Sequence, residues 1–298
     1  MKSFAEVVEA ARARGPSRLI VAQAADDSVL QAVEQARELR LADPVLVGDA
    51  AEIGEVARRL GIDLSPYRIV EPRPKDQAAA EAVRRVARGE GDILMKGMLP
   101  TAELLHAVLD KEAGLGRGRI LSHVGAFALP NRSTFLFVTD AALAIAPTLQ
   151  QKVDITQNAI DFARRLGVDS PVVACVCALE TVNPAMPATV DAACLSKMAE
   201  RGQISGGRVE GPLALDNAVS QEAARHKGIK SPLAGNADIL LAPDIEAGNI
   251  LYKSLAFFAG AEDAGVIVGA RVPIVLTSRA DSAQSKLNSI ALAALARQ

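Results

Sequence analysis

The sequence predicts an α/β protein built around parallel, doubly wound sheets. Short runs rich in Val, Ile and Leu recur along the chain, and stretches of helical periodicity separate them. These apolar runs do not alternate with polar residues, which is typical of strands covered on both faces. Repeated strand–helix units favour parallel sheets with right-handed crossovers. The chain has 298 residues, half of them hydrophobic and only 3% aromatic, which suits one large or two medium domains.

The first part of the chain begins with a helix and then alternates regularly. The predicted strands are 18–23, 44–48, 67–70 and 92–96, and the predicted helices are 3–14, 27–40, 50–60, 76–88 and 102–110. Asp26 or Asp27 is placed to cap the second helix. Two further strands, at 119–127 and 134–139, lie too close together for a helical crossover, so we expect them to form an antiparallel pair.

A second alternating set follows the run 143–149, where a proline marks a change of pattern. We place a domain boundary near residue 142. The predicted strands are 172–176, 207–211, 237–241, 265–268 and 272–277, and the predicted helices are 152–166, 189–200, 213–227, 246–258 and 283–296.

Composition excludes several classes of protein. The 33 basic and 35 acidic residues give a net charge of −2, so nothing indicates an electrostatic nucleic-acid binder. No apolar run is long enough to cross a bilayer, and the amphipathic, partly acidic start is unlike a targeting peptide. The three cysteines indicate a reducing compartment without a disulfide framework. We therefore expect a cytoplasmic globular protein.

The segment 273–282, PIVLTSRADS, is the strongest candidate for a functional site. An apolar strand stops at a polar turn and a helix begins, so the first free N–H groups of that helix favour an anion. Arg279 adds a bidentate clamp for an oxyanion, and Ser278 and Ser282 add hydroxyl donors. Asp281, in the same turn, is a further candidate for a functional role, and the alternative is that it forms a capping box with Gln284 at the start of the helix.

Lys96 and Gly97 end another predicted strand and lead to a helix near Thr101. Lys96 can supply a point charge for a phosphate, and Gly97 allows a close backbone approach. The alternative for Lys96 is a solvated side chain at the end of a strand.

Polar candidates also occur in the middle of the chain. His123 interrupts an apolar run near a strand end and is a candidate base or phosphate ligand, with a satisfied core histidine as the alternative. Asn249 and Lys253 are spaced i, i+4 and lie on one helix face. No His, Cys and carboxylate spacing indicates a zinc site, and no GxGxxG sequence indicates a dinucleotide loop.

Several long runs together resemble the phosphate acetyl/butyryltransferase family, and most closely its butyryltransferase members. The runs are VLTSRADS, PDIEAGNILYK, VEGPLALDNAVS, NPAMPATVDAACLSKMAERGQISGG and LMKGMLPTAELLHAVLDKE, and they are spread over nearly the whole chain. The resemblance implies a phosphotransacylase, which reversibly converts acyl-CoA and phosphate to acyl phosphate and CoA. It implies CoA as a substrate, with no permanently bound cofactor and no metal.

The resemblance also implies an architecture. It implies two α/β domains of the isocitrate/isopropylmalate dehydrogenase kind, with the active site in the cleft between them and a homodimer or larger assembly. The N-terminal domain would comprise 1–142 together with about 271–298, and the second domain 143–270. Acyl-CoA and phosphate would be the partners, with no nucleic acid and no membrane.

The family's catalytic serine and arginine correspond to Ser278 and Arg279. Its acetyltransferases carry an aspartate seven residues after that serine, where this chain has Ser285, and an arginine where it has His106. Asp281 and His123 are therefore the candidates for the general base. The expected substrate-binding residues are Lys96, Gly97, Thr101, His106, Ser282, Asn249 and Lys253.

Three alternatives stand beside a butyryltransferase. They are a phosphate acetyltransferase, a non-catalytic CoA-binding module, and an oxidoreductase of similar shape, which the missing dinucleotide fingerprint disfavours.

Overall fold

The computed structural model describes residues 1–74, 77–112, 114–278 and 281–297. Its contacts divide the chain into two compact units. We call Phe4–Arg119 with Asp263–Gln298 the N-terminal unit, and Ile120–Glu262 with Met1–Ser3 the central unit.

Strands and helices alternate through the first part of the N-terminal unit. They are α1 (Phe4–Ala13), β1 (Ser17–Ala22), α2 (Asp27–Glu38), β2 (Ala42–Val47), α3 (Ala50–Leu60), β3 (Arg68–Val70), α4 (Ala78–Ala87), β4 (Ile93–Lys96) and α5 (Thr101–Val108). Asp26 is the N-cap of α2, as predicted, because its side chain accepts a hydrogen bond from the Val29 N–H.

The central unit begins with a strand pair and then alternates in the same way. Its elements are β5 (Ser122–Ala128), β6 (Leu136–Thr139), α6 (Leu149–Arg165), β7 (Val172–Val176), α7 (Pro187–Glu200), β8 (Arg208–Leu213), α8 (Leu215–Val219), α9 (Gln221–His226), β9 (Ile239–Leu241) and α10 (Ile245–Phe258). The chain ends with β10 (Glu262–Val268), β11 (Ile274–Val275) and α11 (Ala283–Ala296).

The α/β class is confirmed, although the sheets are mixed and not purely parallel. In the N-terminal unit the strand order is β3-β2-β1-β4-β11-β10, with β10 antiparallel to β11 and the other paired neighbours parallel. This order reverses direction at β1, as in doubly wound sheets. In the central unit the order is β5-β6-β9-β7-β8. There β5 and β6 form the predicted antiparallel pair, and the other neighbours are parallel.

The division of the chain falls at 119/120 and 262/263, whereas the sequence pattern predicts it near 142 and the resemblance implies a second division near 270. The difference arises because β6 pairs with β9 and β5 pairs with β6. The run 143–149 that we took as a boundary is the connection between β6 and α6 inside the central unit.

One predicted helix, 213–227, is wrong as a single element. Leu213 ends β8, and the rest divides into α8 and α9 at Ser220, whose backbone is extended (φ −128°, ψ 115°). The Ser220 hydroxyl accepts from the Ala223 N–H and so caps the second helix. Because a serine side chain can cap a new helix, one helix can end and another begin at Ser220 without a proline or glycine at the break.

The last helix is buried on nearly every side. From Lys286 to Ala296, each residue of α11 is buried, including Asn288 and Ser289. The helix packs against α1, α2 and β11, and its alanines allow these elements to approach closely. A helix that is buried on nearly all sides is typical of a domain interior.

In the part of the chain that the structure describes, no helix combines the length and apolar character needed to cross a bilayer. Among the same residues, no group of three or more His, Cys, Asp or Glu side chains is arranged to hold a metal ion.

Candidate active site

The carboxyl ends of three adjacent strands meet at one edge of the N-terminal unit. β4 lies between β1 and β11 and runs parallel to both, with Lys96 opposite Ala22 and Met95 opposite Val275. The segments that follow these strands enclose a cavity of about 20 Å³, which we call the lysine cavity. Its lining residues are Asp26, Ser28, Val29, Lys96, Gly97, Met98, Thr277, Ser278 and Lys286.

The turns after β1 and β4 are bonded tightly to each other. The Gly97 N–H donates to the Ala22 carbonyl at 2.8 Å, and the Met98 N–H donates to the Gln23 carbonyl at 2.7 Å. A Cβ at position 97 would lie 2.0 Å from the Gln23 carbonyl oxygen. The close backbone approach expected at Gly97 is therefore present, and only glycine fits there.

Lys96 lies inside the unit and not on its surface. Its residue is 7% exposed, and its Nζ donates to the carbonyls of Gly97 at 3.0 Å and Leu99 at 3.1 Å. The alternative of a solvated lysine is therefore wrong. These carbonyls fix the ammonium group at the edge of the sheet, where its charge faces the cavity.

A second buried lysine, Lys286 on α11, lines the same cavity. Lys286 is 3% exposed, and its Nζ donates to the carbonyls of Asp281 at 2.6 Å and Ser278 at 3.3 Å. Burial lowers the pKa of Lys286, and the negative charges of Asp281 and Asp26 counter this only in part. No local sequence pattern indicates this residue.

Asp26 supplies the negative charge of the cavity. Its carboxylate accepts from the Ser28 hydroxyl at 2.6 Å and from the Val29 N–H at 3.0 Å. Burial alone would raise the pKa of Asp26, but the hydrogen bonds from Ser28 and Val29, together with the charge of Lys286, lower it overall. With two ammonium groups and one carboxylate, the lining carries an excess of positive charge.

The turn before α11 is closed by Asp281. Its Oδ2 accepts from the Ser278 N–H at 2.7 Å, and its own N–H donates to the Ser278 carbonyl at 3.1 Å. The N-cap of α11 is Ser282, whose hydroxyl accepts from the Ser285 N–H at 3.0 Å. The capping box of Asp281 with Gln284 is therefore wrong, because the cap lies one residue later. Arg279, our candidate oxyanion clamp, lies outside the described residues.

Ser285 occupies the position at which the resemblance implies an aspartate, and its side chain contacts a carboxylate from a strand, Asp263. The Ser285 hydroxyl donates to Oδ1 of Asp263, on β10, at 2.9 Å. It also lies 3.1 Å from the Ser282 hydroxyl. The two serines and Asp263 thus form a short polar chain along the start of α11.

Two expected substrate-binding residues lie on α5, away from the lysine cavity. Thr101 is the first residue of that helix and His106 is exposed in its last turn. Neither belongs to the lining of the cavity.

The remaining predicted residues lie in the central unit around Asp140. Asp140 is 3% exposed, and its carboxylate accepts three backbone N–H groups, from Ala142 at 2.7 Å, Leu143 at 2.8 Å and His123 at 2.8 Å. His123 is 5% exposed and its carbonyl accepts from the Thr139 hydroxyl at 2.8 Å. The carboxylate thus fixes the strand that carries the imidazole.

The His123 ring packs beside Tyr252 of α10, with ring centroids 5.5 Å apart. The Asn249 amide, on the same helix, donates to the Ala141 carbonyl at 3.1 Å. The Lys253 Nζ lies 5.5 Å from the centre of the Tyr252 ring. A Cβ at Gly248 would lie 2.2 Å from the Asp140 carbonyl oxygen, so glycine allows α10 to pack directly on this loop.

The structure thus gathers most of the predicted residues in two groups and leaves Thr101 and His106 apart on α5. Lys96, Gly97 and Ser278 line one cavity, which Asp281 supports. His123, Asn249 and Lys253 surround Tyr252 and Asp140 in the central unit. The cavity of the first group, which Lys286 and Asp26 also line, presents two cations, one carboxylate and a serine to a small space. This excess of positive charge favours an oxyanion.

A family model and several relatives match nearly the whole chain. The family model described as Phosphate acetyl/butaryl transferase matches residues 3–85 and 74–294. Phosphate butyryltransferase of Clostridium acetobutylicum is 46% identical over 99% of this chain and 98% of its own length. Phosphate acetyltransferase of Rhizobium meliloti is 49% identical over 98% of this chain and 92% of its own.

A solved structure agrees with these relatives. The crystal structure of a branched-chain phosphotransacylase from Enterococcus faecalis V583 matches with a TM-score of 0.80 and 35% identity. The match covers 94% of this chain and 98% of that one. The sequence relatives and the fold therefore point to the same kind of enzyme.

Proposed function

The chain belongs to the phosphate acetyl/butaryl transferase family, and from this premise we propose that it transfers a short-chain acyl group reversibly between CoA and phosphate. The preferred acyl group in this proposal is butyryl or a close relative. The family places the chain among the phosphotransacylases, which are acyltransferases. Its relatives include both butyryl- and acetyltransferases, so a phosphate acetyltransferase is the alternative.

The observation that carries the proposal is the pair of buried lysines beside Ser278. Lys96 and Lys286 are 7% and 3% exposed, and both line one cavity with a single carboxylate. Buried cations are costly unless an anion offsets them. A phosphoryl oxygen that enters this cavity meets two ammonium groups and a serine hydroxyl.

The chemistry requires a thiolate, a place for negative charge and a leaving group. In the direction of CoA acylation, the thiol loses its proton and the sulfur attacks the carbonyl carbon of the acyl phosphate. The carbon–sulfur bond forms, the carbon–oxygen bond to phosphate breaks, and phosphate leaves with the electron pair. Thiolates are strong nucleophiles, so the protein chiefly supplies a base and stabilises oxyanions.

We assign the oxyanion and phosphate contacts to Lys96, Ser278 and Lys286, together with Arg279. Asp281 is our candidate for the base, since it lies on the turn that carries Ser278 and is only partly buried. His123 is the alternative base, but it is 5% exposed and packs against Tyr252. Thr101, His106, Ser282, Asn249 and Lys253 stay proposed contacts to the substrates.

The proposal has further parts that rest on the resemblance. We propose a cytoplasmic enzyme that uses CoA as a substrate and acts without a resident cofactor or metal. The isocitrate/isopropylmalate dehydrogenase-like arrangement, with the active site in a cleft between two domains, also stays a prediction.

A homodimer or larger homo-oligomer is also part of the proposal. Three apolar side chains on α10, Ile250, Phe257 and Phe258, are 67%, 69% and 89% exposed, and exposed apolar groups of this size are typical of a subunit contact. Sedimentation velocity tests this assembly: we expect a dimer or larger species, and a monomer at micromolar concentration would contradict it.

The test of the function is release of thiol from acyl-CoA in the presence of phosphate. We expect turnover with at least one acyl-CoA of two to five carbons, and none when phosphate is omitted. Well-folded protein that is inactive with the whole series would refute the proposal. Calorimetric binding of CoA without turnover would instead identify a non-catalytic CoA-binding module.

A further inference from the structure

The central unit contains a groove that none of the proposed roles uses. It lies among α8, α10 and the turn that joins β5 to β6, and its volume is about 240 Å³. We call it the leucine groove. Its lining residues are Leu129, Asn131, Arg132, Leu136, Leu215, Val219, Leu240, Leu251 and Leu255.

The walls of the groove are apolar and its mouth is open. Leu215 and Val219 are spaced i, i+4 on α8 and are 41% and 38% exposed. Leu251 and Leu255 have the same spacing on α10 and are partly buried. Leu240 of β9, fully buried, closes the inner side. Such a surface gains free energy when an apolar chain removes it from water.

One cation, Arg132, lies at the groove. Its Nη2 donates to the Ala237 carbonyl at 2.5 Å and its Nε donates to the Thr134 hydroxyl at 3.3 Å. These two bonds fix the guanidinium, which is half-buried. Within the described part of the chain, no group accepts from its Nη1 and no carboxylate forms an ion pair with it.

Asp238 is a carboxylate whose negative charge acts on Arg132. Its carboxylate, however, accepts a hydrogen bond from the Val172 N–H at 2.9 Å and so serves the backbone between two strands. The guanidinium therefore has directed N–H groups for a carboxylate that comes from outside the protein.

We propose that the leucine groove binds an amphiphilic monocarboxylate, with the carboxylate on Arg132 and the alkyl chain along the leucines. An apolar cavity of about 150 Å³ holds a molecule of benzene, so the 240 Å³ of this groove can hold an alkyl chain of medium length. The groove shares no residue with the lysine cavity or with the cluster around His123. The proposal is therefore independent of the proposed reaction.

Isothermal titration with octanoate, hexanoate and octanol on the full-length protein tests the site. We expect octanoate to bind one per chain. Hexanoate should bind more weakly by about fourfold for each methylene removed, and octanol by about tenfold or more because it lacks the charge. Equal affinity for octanoate and octanol would overturn the role of Arg132.

Two variants with matched controls locate the binding. Arg132→Met should weaken octanoate binding by about ten- to a hundredfold, whereas Arg225→Met, on exposed α9, should not change it. Val219→Phe should fill the groove and abolish binding. Val190→Phe is its control, since Val190 is a helical valine of nearly equal exposure, 37% against 38%, on α7.

Two results would contradict the proposal. Octanoate binding that survives both Arg132→Met and Val219→Phe would place the ligand elsewhere. No octanoate binding to the wild type would refute the proposal. If, in addition, the oligomeric state changed in Val219→Phe but not in Val190→Phe, a second copy of the chain would be the occupant of the groove. Circular dichroism and thermal melting of each variant show that a loss of binding does not come from unfolding.

Discussion

Replacing Lys286 by methionine removes a cation that holds one side of the lysine cavity. The methionine side chain is shorter by one atom but keeps an unbranched apolar stem, so the packing of α11 changes little. What is lost is the ammonium group that donates to the carbonyls of Ser278 and Asp281. We therefore expect Lys286→Met to impair phosphate binding and to loosen the turn that carries Ser278.

The expected size of the effect follows from the burial and the contacts of the lysine. Loss of a donor that faces an oxyanion typically lowers the rate by about 10²–10³. Each hydrogen bond from a charged group contributes about 1.5–3 kcal/mol, but the variant also avoids the cost of burying a charge. The net loss in the free energy of unfolding should therefore be only about 1–2 kcal/mol.

The lowered pKa of Lys286 gives this variant a signature in pH. Because the folded-state pKa lies below the ordinary value of 10.5, the unfolded chain binds more protons between those two values. The stability of the wild type relative to Lys286→Met should rise as pH increases through that window. Urea unfolding at several pH values measures this difference.

The assay is initial-rate kinetics with butyryl-CoA and phosphate varied separately. We expect KM for phosphate to rise more than KM for butyryl-CoA. The control is Lys197→Met, since this lysine is on α7, 54% exposed and paired with Glu200, and its activity should stay near that of the wild type. A folded Lys286→Met protein with wild-type kcat/KM for phosphate would refute the reasoning.

Three further predictions concern the same edge of the sheet. Gly97→Ala should destabilise the protein by several kcal/mol and reduce activity, because its Cβ would lie 2.0 Å from a carbonyl oxygen. Its control is Gly54→Ala, in a helix where a Cβ would have nothing within 4 Å, and this variant should be neutral or stabilising. Thermal melts in which Gly54→Ala is the less stable of the two would contradict the geometry. Asp281→Asn can keep the hydrogen bond from the Ser278 N–H but loses the base, so kcat should fall by about 10²–10⁴. His123→Asn should lower kcat less. A larger fall in kcat for His123→Asn would assign the role of the general base to His123. Asp26→Asn keeps a cap for α2 but removes the charge. Because the pKa of Asp26 in the folded protein is lowered below 3.8, the wild type should be more stable than Asp26→Asn above that pH, and this difference should disappear as pH falls through the lowered value. A difference in stability that persists in acid would contradict this assignment.

Part of the site is predictable from the ends of the strands. Lys96 and Ser278 both follow apolar strands, and parallel strands bring such segments together at their carboxyl ends. Asp26 follows β1 in the same way, and the same argument would have found it. The sequence pattern predicts only a helix cap at this position, and Asp26 is that cap as well.

Lys286 and Asp140 could not be found from local pattern alone. Lys286 lies one turn inside α11, and its burial depends on how that helix packs against α1 and α2. Asp140 follows β6, but its role comes from three backbone N–H groups, one of them from His123 on the neighbouring strand. Both roles depend on contacts between segments that are distant in sequence.

The exact N-cap of α11 also could not be predicted from the sequence. The sequence offered Asp281 with Gln284 as a cap, while the cap is Ser282. Both residues are good caps by type, and only the backbone of the turn decides between them. The fold class was simpler to predict because it rests on many strands and helices at once.

The most direct test of the proposed function is the stoichiometry of the reaction. Purified protein is incubated with butyryl-CoA and phosphate, released thiol is measured, and acyl phosphate is measured in the same sample by ³¹P NMR. A phosphotransacylase should form one acyl phosphate for each thiol released, and the reverse reaction should consume both equally. Thiol release without acyl phosphate would show hydrolysis and would contradict the proposed function.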